Sequence, residues 1–172
     1  MRVTQTHVYF WEGGSLFSQW CMKTDKNPYQ FISKEGFKYS CCEQYMMHKK
    51  ALMFNDLESA EKILNSKNPK EMKALGRKVK NFDNAVWDKK KFDVITNANY
   101  LKFTRNPSFK EELMRYKNHT FVEASPYDCI YGAGLHYSDD LILDEKNWRG
   151  QNLLGKALNR TIGIIISNER SK

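Results

Sequence analysis

One stretch, Thr120 to Leu135 (T-F-V-E-A-S-P-Y-D-C-I-Y-G-A-G-L), restricts the fold more than any other part of the chain. Thr120, Phe121 and Val122 have the β-branched and aromatic character of a short buried strand. The strand runs into a loop carrying Glu123, Ser125, Pro126 and Asp128. Pro126 fixes its own φ and biases Ser125 towards an extended conformation, so the chain turns here in one defined way. Gly132 and Gly134 flank Ala133, where the backbone can take positive φ or let a ligand approach closely. Two carboxylates, Tyr127, Tyr131 and two glycines at the mouth of a strand are the parts of a polar-ligand site. The same residues also make an ordinary strand and loop with a satisfied acidic turn.

The rest of the chain supplies mostly helices. His7 to Trp11 reads as a first short strand, followed by a turn at Gly13-Gly14 and the aromatic bulk of Phe17-Ser18-Gln19-Trp20. Tyr29 to Ile32 and Phe37 to Tyr39 alternate around Lys34-Glu35-Gly36, which predicts a hairpin. Ser40 and Glu43 fit an S-x-x-E capping box opening a helix, with Tyr45, Met46, Leu52, Met53 and Phe54 as its apolar surface. Helical spacing puts Glu43 and Lys50 on one face, about two turns apart. A capping glutamate and a solvated lysine need no chemistry to explain them.

Asn55 with Glu58 predicts a short helix through Leu64, and Asn68-Pro69 starts another carrying Met72, Leu75 and Val79. Asn84 to Phe103 reads as a longer helix, with Trp87, Val94, Ile95, Ala98, Leu101 and Phe103 as candidate core. Asn106-Pro107 opens a fourth segment with Phe109, Leu113 and Met114. Gly150-Gln151-Asn152 leads into a last helix holding Leu153, Leu154, Leu158, Ile162 and Ile165, with a tail that should fray from Asn168. Gly150 would let that helix N-terminus, with its free N–H groups, approach an anion. The expectation is one α+β domain over residues 1–172, its core from about residue 6 to 167, as suits a chain of this length. It should be predominantly helical, with a small antiparallel sheet built from the N-terminal strands and the Thr120 segment.

Composition removes several function classes. No apolar run approaches the ~20 residues that cross a bilayer, and the N-terminus lacks the basic-then-apolar layout of a signal peptide. A cytoplasmic protein without membrane contact is expected. Cys21, Cys41, Cys42 and Cys129 form no C-x-x-C pair, and His7, His48, His119 and His136 are scattered. Neither a metal site nor a disulfide framework is expected. The 28 Lys and Arg against 20 Asp and Glu leave a net charge of +8, which favours a polyanionic partner or a phosphate-bearing substrate.

The run V-E-A-S-P-Y-D-C-I-Y-G-A-G resembles the signature of the NADAR superfamily, the YbiA-like N-glycosidases. Ser40 to Lys50 (S-C-C-E-Q-Y-M-M-H-K-K) resembles that family's E-[HQ]-Y helix, and Trp148 to Leu158 (W-R-G-Q-N-L-L-G-K-A-L) its W-x-G-x-N-x-L-G element. Tyr9 to Trp20 resembles the opening F-S-N-[FW] segment, with Gln19 where the family usually has asparagine. The blocks fall in the family's order and span nearly the whole chain.

The resemblance implies a YbiA-like fold and hydrolysis of an N-glycosidic bond at C1′ of a ribose. Such a reaction builds positive charge on the sugar and negative charge on the leaving base. On the matching positions, Glu43 and Asp128 become the candidate catalytic carboxylates, Glu123 a candidate for holding the sugar hydroxyls or bracing the loop, and Ser125 a substrate-binding candidate. Lys50 and the amides around Gly132, Gly134 and Gly150 become candidates for phosphate, and Asn152 a further binding residue. Trp87, Tyr131 and Trp148 are candidates for stacking on a base. Tyr131 stands where the family often has tryptophan. No cofactor, metal or obligate protein partner is implied.

The substrate class the resemblance favours is ADP-ribose attached to guanine in DNA. Phosphoribosylamino-pyrimidine intermediates of riboflavin biosynthesis are the metabolic alternative. A non-catalytic module that binds NAD or ADP-ribose is a third.

Overall fold

Two strands whose residues lie far apart in sequence form the centre of the molecule. In the computed structural model, which describes residues 1–24, 29 and 31–171, β2 (His7–Phe10) lies between β1 (Arg2–Val3) and β3 (Thr120–Glu123). β1 pairs antiparallel with β2, whereas β2 and β3 run parallel, with Val8 opposite Phe121 and Tyr9 opposite Val122. The sheet is therefore mixed rather than wholly antiparallel as expected. Parallel neighbours need a long crossover, and here the whole helical middle of the chain provides it.

That crossover comprises α1 (Cys42–Met53), α2 (Leu57–Asn65), α3 (Pro69–Arg77), α4 (Asn84–Thr104) and α5 (Pro107–Arg115). After β3, two 3₁₀ turns (Asp140–Leu143 and Glu145–Asn147) lead to α6 (Leu153–Arg170). Several helix starts follow the capping rules: the side chains of Asp56, Asn68 and Asp83 accept from the amides of Ser59, Lys70 and Ala85, respectively. Pro69 and Pro107 occupy first turns, where a missing amide hydrogen costs nothing. The tail expected to fray instead remains helical through Arg170, held by Asn168 to the Tyr100 hydroxyl and by Lys110 to Glu169.

The expected hairpin reduces to one bridge, Ile32 with Lys38, closed by the Ser33 amide to the Phe37 carbonyl. Gly36 takes φ +90° in that turn, and Gln30 lies outside the described residues.

The sheet's two faces are buried differently. Val8, Phe10 and Phe121 pack with Phe17, Phe103 and Leu113 and with the Leu154, Leu158, Ile162 and Ile165 stripe of α6. Tyr9 and Val122 face the other way, against Ala124, Ala133, Leu135 and Ile142. A further core joins α1 (Met46, Met47, Ala51) to Ile63, Trp87, Ile95 and Ala157. Tyr131 packs against both the α6 core and the α1 core, so the loop after β3 sits where the sheet meets the helical layer.

Candidate active site

Glu43 is not a cap. The helix begins one residue later than an S-x-x-E box requires, with Cys41 at the N-cap and no side-chain cap bond. Ser40 instead donates its amide and hydroxyl to Gln44 Oε1, at 2.7 and 3.0 Å. Gln44 Nε2 reaches the carbonyls of Ile63, Leu64 and Ser66, tying α1 to the end of α2. The shift turns Glu43 into the protein, leaving it 3% exposed. Its amide donates to the Gln19 carbonyl, and its Oε2 accepts from Trp20 Nε1 at 3.3 Å. Its Oε1 is buried without a hydrogen bond.

A carboxylate so placed holds its proton unusually well. Burial pushes Glu43 up to about 7, against the pull of Lys73, the Trp20 bond and Arg77, with Asp128 adding to the push. Glu123, at the end of β3, is likewise pushed up to about 8, first by burial and then by Asp128, opposed by Lys73. Its Oε2 also lacks a partner. Asp128 differs: Oδ1 accepts from the amides of Ile130 (3.0 Å) and Tyr131 (2.8 Å), and Oδ2 lies 3.4 Å from Lys73 Nζ. Glu43, Glu123 and Asp128 thus share one electrostatic neighbourhood with Lys73, supplied by α1, β3, its loop and α3.

The other predicted site residues divide into two groups. Tyr131 and Trp87 belong to the carboxylate neighbourhood. Their side chains are hydrogen-bonded, and burial, with Glu43 and Asp128 nearby, raises the Tyr131 phenol above its usual value. Trp87 is 5% exposed and forms wall rather than an open stacking face. Lys50 lies behind them, donating to the Gly76 carbonyl at 2.8 Å with its ammonium 3.9 Å from the Phe82 ring centroid. Burial lowers its pKa.

The glycine-rich half is locked into backbone pairing. The amides of Arg149 and Gly150 both donate to the Ala133 carbonyl. Those of Gln151, Asn152, Leu153 and Leu154 donate to the carbonyls of Cys129, Gly132, Ile130 and Tyr131. A Cβ on Gly150 would come 2.2 Å from the Gly132 carbonyl oxygen, and one on Gly134, at φ +73°, 2.8 Å from Arg149 Cβ. These glycines let two backbone segments touch. The anion expected at the α6 N-terminus would find donors already bonded to carbonyls.

Asn152, 1% exposed and at φ 51°, accepts from the Glu123 amide (3.0 Å) and donates to the Phe121 carbonyl (2.8 Å). It clamps β3 as a further strand would. The Ser125 hydroxyl accepts from the Tyr127 amide within its turn. Trp148 packs on the far face of the sheet and donates to the Ile142 carbonyl.

Two open grooves of about 370 Å³ lie elsewhere, one lined by Asp93, Asn97 and Arg160 and the other by Trp11, Glu12 and Phe17. Neither includes the three carboxylates, and charge and burial rather than groove size mark the candidate site. No group of three or more His, Cys, Asp or Glu among the described residues is placed to hold a metal ion, and no described helix is long and apolar enough to cross a membrane. Lys73 and Arg77 have no signal in the sequence that marks them, and Trp20 reads there only as aromatic bulk.

The family model described as NADAR domain matches residues 9–162. The chain belongs to that family. Among relatives of this NADAR protein, "N-glycosidase R617" of Acanthamoeba polyphaga mimivirus is 43% identical over 147 residues, covering 85% of each chain. "Protein irg-1" of Caenorhabditis elegans is 37% identical over 166 residues, covering 91% of this chain and 78% of its own length. The NMR structure of the E. coli protein YbiA superposes with a TM-score of 0.76 at 19% identity, over 99% of this chain and 91% of that one. At that identity the likeness speaks to the fold, which is YbiA-like.

Proposed function

We propose that this NADAR protein is an N-glycosidase that hydrolyses a ribose C1′–N bond, and that its substrate is ADP-ribose linked to guanine in DNA. One observation carries the hydrolytic reading: Glu43 presents a buried, unbonded oxygen beside two further carboxylates and a lysine. A purely structural glutamate would be satisfied by protein donors on both oxygens, because an unpartnered buried carboxyl is costly. The relative named as an N-glycosidase, at 43% identity, supports the same class.

The three carboxyl groups divide the work. Asp128, fixed by two amides and Lys73, offsets the cationic charge that grows on the sugar as the C1′–N bond lengthens. Glu43, poised near neutrality, takes a proton from the water whose oxygen adds to C1′. The bond's electron pair leaves with the base, which takes up a proton from solvent. Glu123, protonated at neutral pH, donates to a ribose hydroxyl.

The net charge of +8 favours the DNA-linked substrate over a small one. The test offers the protein DNA carrying ADP-ribosyl-guanine and a phosphoribosylamino-pyrimidine at two salt concentrations, and identifies the products by mass spectrometry. Release of ADP-ribose from DNA, weakening steeply with salt as neutralised phosphates release counterions, is expected. Cleavage of the small compound alone overturns the DNA assignment. Saturable ADP-ribose binding with no release from either overturns the catalytic reading.

A further inference from the structure

The carboxylate neighbourhood contains more cationic charge than it uses. Lys73 and Arg77 stand one helical turn apart on α3, Lys73 half-buried and Arg77 exposed. Lys73 Nζ reaches Asp128 only at 3.4 Å, and Arg77 makes no ion pair among the described residues. Gly76, which precedes Arg77, packs on Met47 of α1, and its carbonyl accepts from Lys50. This end of α3 therefore lies against the helix that carries Glu43, and the Arg77 charge acts on both Glu43 and Lys50. The other donors nearby are occupied: Lys50 by the Gly76 carbonyl, and the amides of residues 149–154 by the carbonyls of the 129–133 loop.

We propose that Lys73 and Arg77 are the anchor for the phosphate or diphosphate of the substrate. This rests on the N-glycosidase reading above and gives its site a recognition element on α3. Arginine suits the role because its planar fork pairs two phosphate oxygens at once, while lysine supplies a point charge beside it. Asp128 Oδ2 is paired with Lys73 alone, which leaves the Arg77 guanidinium unpaired among the described residues. A diphosphate diester or a phosphate monoester brings the negative charge that such a pair of cations would meet. The anchor also places the phosphate beside the carboxylates, as a ribose phosphate requires.

Equilibrium binding separates the anchor from catalysis. Calorimetry would compare the wild-type protein, Arg77→Met and Lys73→Met, using ADP-ribose, inorganic pyrophosphate and phosphate-free adenosine as probes. Removal of a charge-assisted phosphate contact should weaken ADP-ribose and pyrophosphate roughly ten- to a hundredfold and leave adenosine unchanged. Thermal melting controls for folding, and Arg77→Lys should restore part of the loss.

This outcome supports the anchor even if no N-glycoside is cleaved, so failure of the catalytic reading remains distinguishable. Unchanged ADP-ribose affinity in Arg77→Met overturns the anchor. So does an equal loss for adenosine, which would make Arg77 a general structural element. Saturable binding of neither phosphate-bearing probe by the wild-type protein overturns it as well.

Discussion

The two halves of the candidate site handle their polar groups in opposite ways. In the half formed by the 123–135 loop and the start of α6, the Asn152 amide and the backbone amides of 149–154 are bonded to nearby carbonyls or amides. In the half formed by α1 and α3, Glu43 keeps an unbonded oxygen and Arg77 has no ion pair among the described residues. Glu123 lies on the border, its amide clamped by Asn152 and its Oε2 left free. The backbone of the glycine-rich half therefore builds the frame, and beyond the carboxyls of Glu123 and Asp128 the free capacity to engage a ligand lies on the helical half. The glycine pattern alone suggests the reverse.

The comparison is tested most severely at its centre. Glu43→Gln keeps the shape but cannot take a proton, so turnover should fall ~10²–10⁴-fold with the domain still folded. Full activity in that variant, measured beside its melting curve, would move the chemistry elsewhere. In the frame the damage should be to stability: Asn152→Ala strands the Glu123 amide and the Phe121 carbonyl, both currently bonded by the side chain. Each unsatisfied buried group costs ~1–3 kcal/mol. Denaturant titration should show the loss, with activity per folded molecule largely kept. A large fall in kcat without unfolding would instead draw Asn152 into the reaction.

The smallest effect expected is on pH dependence. Glu43 and Glu123 hold protons in the folded protein up to about 7 and 8, whereas the unfolded chain releases them near 4.5. The folded state therefore binds more protons, and the stability this contributes is full below pH 4.5 and lost as pH rises through 7 and 8. Melting temperature should fall as pH rises from 5 to 9. The Glu43→Gln, Glu123→Gln double variant should flatten that slope. The lowered carboxyls of Glu35, Asp56 and Glu58 titrate below this window and leave it undisturbed. An unchanged slope in the double variant would place the titration in other groups.

Local signals carried much of the fold. Asn68-Pro69 and Asn106-Pro107 start helices because proline at a first turn is favourable whatever surrounds it. The direction of β3 against β2 was not legible, because no short-range pattern reports a pairing across five helices. Ser40 and Glu43 have the spacing of a capping box, but a one-residue shift of the helix start made the glutamate a buried acid. Lys73 and Arg77 carry no sequence signal, because lysines and arginines at helical spacing describe any solvated face. Only the fold brings that face to Asp128 and lays it against α1. The glycines of 132–150 looked like a phosphate cradle because close backbone approach has one sequence signature, whether the visitor is a ligand or another segment of the same chain.

The parallel pairing of His7–Phe10 with Thr120–Glu123 also fixes an order of events at the ribosome. β2 emerges before the helical layer, and its β3 partner follows only after all five of those helices. At about 5–20 residues per second the wait is on the order of ten seconds, long compared with the time a helix needs to form. The α1–α5 layer can consolidate meanwhile, while the Val8 and Phe10 side chains remain without their Phe121 and α6 contacts. A chaperone that recognises short apolar strands would find its target in β2 while the helical layer is still being made.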